Sequence, residues 1–186
     1  MDFRTVKYAL LGGALAFAAA NPAAATVTPS QGTLGSTSTG VVGISATIPQ
    51  RVQISGLSDF AFGTLDPATA ASTPENVCVW SNTTTKGYSI TATGSGTASA
   101  FTLSNGTTTL AYGVQWNGTS GQTSGTVLTT NTAATGFTST ATTPTCSSGP
   151  LTTASLVVGF TTAQLQAAVG SATAYTGTLT LVVAPQ

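Results

Sequence analysis

Beyond residue 25 the side chains able to do chemistry are few: the thiols of Cys78 and Cys146 and the carboxylates of Asp59, Asp66 and Glu75, in a chain of 186 residues without histidine. Two carboxylates are enough for glycoside hydrolysis, so Asp59 and Asp66 are the pair to weigh as acid and nucleophile. Their settings fit turns better. Asp59 follows Gly56-Leu57-Ser58 and Asp66 precedes Pro67, where a carboxylate bonds nearby backbone N–H groups. The chain carries no Gly-rich phosphate loop, nucleophile elbow or metal-spaced ligand set. The residues predict no enzyme, no cofactor and no metal centre.

The two cysteines have a different chemistry, set by the compartment in which the chain folds. Its start, MDFRTVKYALLGGALAFAAANPAAATV, places Arg4 and Lys7 ahead of an uncharged run from Tyr8 to Ala20 and then Ala23, Ala24 and Ala25. That is a basic n-region, a short h-region and an A-x-A site, so residues 1–25 read as a secretion signal cleaved after Ala25. The apolar run is too short and too rich in Ala and Gly to cross a bilayer, so no transmembrane segment is expected after cleavage. In an exported chain two cysteines most simply pair with each other, Cys78 with Cys146. Closing a loop of about 70 residues stabilises a fold by roughly 4 kcal/mol in the chain-entropy picture.

About 160 residues remain, enough for one domain with its own core. Their formal charges are Arg51 and Lys86 against Asp59, Asp66 and Glu75, a net of −1. A surface so weakly charged neither steers towards nucleic acid nor binds an anionic membrane. Thr, Ser, Asn and Gly supply the solubility instead, while recurring Val, Ile, Leu, Phe and Tyr in alternation distinguish the chain from a disordered stalk.

The elements that would position these residues are β-strands of period two. The runs are Arg51 to Leu57, Phe60 to Thr64, Asn76 to Trp80, Tyr88 to Ala92, Phe101 to Leu103, Leu110 to Trp116, Thr126 to Leu128, Ala154 to Phe160 and Tyr175 to Val183. Asn105-Gly106 predicts a hairpin between the Phe101 and Leu110 runs, and Asn117-Gly118 a turn after Trp116. Thr162 to Val169 reads as the one short helix, capped by Thr161 or Thr162 and closed by Gly170. Many short strands without βαβ pattern predict an all-β, Ig-like antiparallel sandwich over residues 50–186. Trp116, which shares a face with Tyr112 and Val114, and Trp80, two residues from Cys78, read as core aromatics. The rival reading gives them, with Tyr88 and Tyr112, to a carbohydrate platform.

Residues 26–40, TVTPSQGTLGSTSTG, have too few large apolar side chains to hold a core and read as a flexible tail. In residues 41–48, Val42, Ile44, Ala46 and Ile48 fall on one face, with Val41, Gly43, Ser45 and Thr47 on the other. Pro49 then separates the segment from the next strand, because proline gives no backbone donor. This order of signal, one-faced segment, proline, Val52-Gln53-Ile54 and a final Tyr175-x-Gly177-x-Leu179-x-Leu181 pattern resembles the bacterial chaperone–usher pilins, closest to the colonisation-factor type. The cysteine pair departs from the colonisation-factor major pilins, though other pilin branches carry one.

The resemblance implies a sandwich lacking one strand, with a groove along Tyr175, Gly177, Leu179, Leu181 and Val183. A periplasmic chaperone would fill the groove first. Residues 41–48 of another copy or a related pilin subunit would replace it at an outer-membrane usher, building a surface fibre for adhesion or biofilm formation. The alternative is a self-complete secreted β-sandwich binding carbohydrate or another cell-surface component.

Overall fold

The computed structural model describes residues 27–186; the expected signal, residues 1–25, lies outside the described residues. The chain divides into two units between Ile48 and Pro49. In the first, Ser30 and Val41 form a single antiparallel bridge, and residues 42–48 belong to no strand.

The second unit is an all-β sandwich of antiparallel sheets. Its larger sheet has the order β1-β2-β9-β6-β7, formed by Val52–Ser55, Ala71–Ser81, Ala154–Phe160, Gly113–Asn117 and Thr126–Val127 respectively. The smaller sheet has the order β10-β3-β8, from Leu179–Pro185, Gly87–Gly94 and Ala133–Thr138. A hairpin of β4 (Thr102–Ser104) and β5 (Thr109–Ala111) stands beside them. Alternation chooses the inward faces: Val77 and Val79 of β2, Leu156 and Val158 of β9, and Val114 and Trp116 of β6 meet Tyr88, Ile90 and Ala92 of β3 in one core.

The outer face of the larger sheet is covered locally as well. The Cys78–Cys146 disulfide is present, and its sulfurs lie with Ala141 in a small second cluster on which Trp80 packs. Thr153 Oγ1 accepts from Val79 N–H at 2.9 Å and donates to Val79 O at 3.0 Å, fastening the loop that carries Cys146 to β2.

Several expected elements differ in extent, each for a local reason. Phe60 to Thr64 is not a strand: Phe60 and Phe62 do turn inward, but no neighbouring strand pairs with their backbone. The Leu110 to Trp116 run is divided at Tyr112, because its first part pairs with β4 and its second with β9. The helix α1, Thr162–Ala167, ends before Gly170; Thr161 caps it through a capping box with Gln164. The final strand begins at Leu179 rather than Tyr175, since Thr176 pairs with Ser104 of β4 instead of with β3. Strand β8 was not expected, as AATGFT offers a single large apolar residue, Phe137.

Candidate functional site

Of the unpaired outer edges of the two sheets, those of β1 and β10 flank one opening in the sandwich. β10 pairs with β3 on one side and with nothing on the other. β1 pairs with Cys78–Ser81 of β2, and past Ser55 the chain continues as Leu57–Phe62 without a ladder of its own. Between these edges lies a groove of about 560 Å³. Its floor is the core itself, reached through Tyr112, Leu156, Val158 and Phe160.

The walls are built from alternating residues. On one side stand Leu57, Phe60 and Phe62, the last edge-on to Phe160 with ring centroids 4.9 Å apart. On the other stand Tyr175, Gly177, Leu179 and Leu181, with Leu103 of β4 behind. Four of the five C-terminal residues expected at a groove therefore line one. Val183 does not. Instead it packs on the core.

Polar contacts hold these walls in place. The Tyr175 hydroxyl donates to Val169 O at 2.7 Å and lies 2.6 Å from the Thr108 hydroxyl, so the ring is fixed. Thr176 and Ser104 exchange backbone hydrogen bonds of 2.8 and 2.9 Å. Gly177 suits this crossing, as a Cβ there would stand 3.0 Å from Leu103 Cδ2 and 2.8 Å from Ser95 Oγ, and those side chains would have to shift. Across the groove, Glu75 Oε1 accepts from both the backbone N–H and the hydroxyl of Ser58. β1 does not reach this part of β2, which is why Pro74, lacking an N–H, is tolerated there.

Two buried polar atoms at the groove have no partner: Glu75 Oε2 and the Tyr112 hydroxyl. Burial raises the Tyr112 pKa above its ordinary value. Sequence reasoning placed Glu75 at no site and gave Tyr112 only to the rival carbohydrate platform. For Tyr112 the available signal was its position on the same face as Leu110 and Val114; for Glu75 it was a carboxylate inside a strand beside a proline.

The other expected residues are placed as follows. Val42, Ile44 and Ile48 are 76, 92 and 86% exposed, and Ala46 is exposed too, so the segment presents its apolar side chains to solvent. Asp66 Oδ1 accepts from Ala68 N–H at 2.9 Å, the turn role expected of it, while Asp59 is exposed at the groove rim. Trp116 and Tyr88 are fully buried in the core, Trp80 packs on the disulfide cluster, and Tyr112 is buried in the groove floor. Among the described residues no cluster of three metal-ligating side chains occurs, and no helix is long and apolar enough to cross a membrane.

No protein-family model and no curated protein matches the chain.

Proposed function

We propose that this protein is the structural subunit of a surface fibre, of the chaperone–usher pilin kind, in which residues 41–48 of one copy occupy the groove of the next. One observation carries this reading. The same chain has a groove with an apolar floor between two unpaired strand edges and an exposed segment with apolar residues at every second position.

The two halves match in kind and in length. Eight extended residues span about 27 Å, enough to run the length of the groove wall from Tyr175 to Leu181. A strand laid there would pair with main-chain groups that otherwise meet only water, and would press side chains into the floor. Burying Val42, Ile44 and Ile48 contributes roughly 5 to 9 kcal/mol before the cost of association.

Connectivity favours a second copy. Asn82 Nδ2 donates to Pro49 O at 2.9 Å, and Arg51 N–H donates to Asn82 Oδ1 at 2.6 Å, so the chain joins β1 at the β2–β3 turn. The groove begins near Leu57, about 17 Å further along β1. A contact running from one end of a subunit to the other end of the next is heterologous, and its repetition makes a fibre. Export through the periplasm, a chaperone that covers the groove and an usher at the outer membrane belong to the same proposal. No catalytic activity or cofactor does.

Electron microscopy and pelleting of filaments from cells making Ile44→Asp test it. Ile44→Asp places an unpaired carboxylate in an apolar groove and is expected to abolish filaments while the folded body is still secreted; Ser45→Asp, on the opposite face, is expected to be milder. Equal loss in both, or normal filaments from Ile44→Asp, would contradict the reading.

A further inference from the structure

The formal charges of the described residues are not scattered. Arg51 and Lys86, the two cations, flank the turn between β2 and β3 where the chain joins the sandwich: Asn82 N–H bonds Arg51 O, and Lys86 directly precedes β3. The three anions lie at the other end. Asp59 and Glu75 line the groove, and Asp66 sits in the turn between Phe62 and the start of β2. Strand registers fix the separation, since Val52 pairs with Ser81 beside the turn whereas Ala71, at the far end of β2, pairs with Phe160 of the groove floor. The side chains of each domain thus carry +2 at its turn end and −3 at its groove end.

We propose that this polarity steers assembly: the cationic turn end of one copy is drawn onto the anionic groove end of a second copy of this chain, ahead of strand insertion. The proposal rests on the donor-strand reading above. Arg51 follows Ile48 by three residues, so a segment seated in a groove brings its own Arg51 to the rim, within about 10 Å of the seated strand. That is close to the screening length at physiological salt, so the attraction acts in the last step of encounter, where it raises the association rate. Like ends repel, which disfavours groove-to-groove and turn-to-turn encounters.

The test uses two full-length variants. One inverts the turn end, Arg51→Glu with Lys86→Glu; the other inverts the groove end, Asp59→Lys with Asp66→Lys. Each alone sets like charges against each other and is expected to assemble about tenfold more slowly than the unmodified protein at ~20 mM salt, followed by light scattering. Mixed in equal amounts they again present opposite charges at every junction between unlike variants. The mixture is expected to recover to within about twofold of the unmodified rate, and all differences to shrink at high salt. Recovery on mixing separates steering from structural damage, which a damaged partner does not repair. A mixture as slow as its components, or either variant alone assembling at the unmodified rate, overturns the proposal. Ile44→Asp, run in parallel, keeps the two readings apart. Loss of assembly there with normal rates in the charge variants sinks steering alone, whereas normal assembly of Ile44→Asp sinks the donor strand and steering with it.

Discussion

The Trp116 indole N–H donates to the Tyr88 hydroxyl at 3.1 Å, joining β6 of the larger sheet to β3 of the smaller one through the middle of the core. The rings meet edge to face, with centroids 6.3 Å apart. Both side chains are fully buried, so each polar atom satisfies the other where water cannot.

This pair makes the domain sensitive to alkali. Burial raises the Tyr88 pKa to about 12, opposed in part by the hydrogen bond from Trp116. The unfolded chain releases that proton near pH 10 and the folded one only near pH 12, so this contribution is complete below pH 10 and is lost as pH rises through 12. Denaturant unfolding across that window is expected to show a loss of ~2 kcal/mol that Tyr88→Phe removes. An identical alkaline slope in Tyr88→Phe would assign the sensitivity elsewhere.

Replacing both Cys78 and Cys146 by Ser is expected to lower stability by about 4 kcal/mol, read as a fall in the urea midpoint. The freshly isolated protein should contain no free thiol. Two thiols per chain in native protein would contradict the pairing.

Gly177→Val should strain the crossing beside the Thr176–Ser104 bridge, where Leu103 Cδ2 and Ser95 Oγ must shift to admit a side chain. A cost of about 1 to 3 kcal/mol is expected, accompanied by weaker binding of a peptide of residues 41–48, because Gly177 lines the groove. Unchanged stability and binding would show that β4 yields without cost.

Much of this was legible in the residues. Period-two alternation put Tyr88 with Ile90 and Val114 with Trp116 on faces that the fold buries, since a buried sheet face enforces its own pattern. Trp80 beside the disulfide followed from its two-residue offset from Cys78. The Asn105-Gly106 hairpin followed from its turn chemistry: Asn105 Oδ1 accepts from Thr107 and Thr108, and Gly106 has φ 91°.

What alternation does not encode is which edge finds a partner. Phe60 and Phe62 carry a strand's pattern and turn inward, yet their backbone is unpaired, and that vacant edge became visible once β1 was seen to stop at Ser55. Tyr175 and Gly177 read as part of the last strand for the same reason, though their backbone turns aside to β4. Strand β8, with Phe137 as its one large apolar residue, is held by its neighbour β3 rather than by its own composition. The unpartnered Glu75 Oε2 and Tyr112 hydroxyl depend on three-dimensional surroundings that no spacing reports.

The most direct measurement titrates a peptide of residues 41–48 onto a truncated chain of residues 50–186 and follows thermal unfolding and amide hydrogen exchange. The truncated chain alone should be poorly soluble and should exchange rapidly along Leu57–Phe62 and the open edge of β10. Peptide is expected to restore solubility, raise Tm and protect the amides of both edges, since it supplies the strand that each lacks. A soluble, cooperatively folding monomer whose Tm and exchange pattern ignore the peptide would contradict the account.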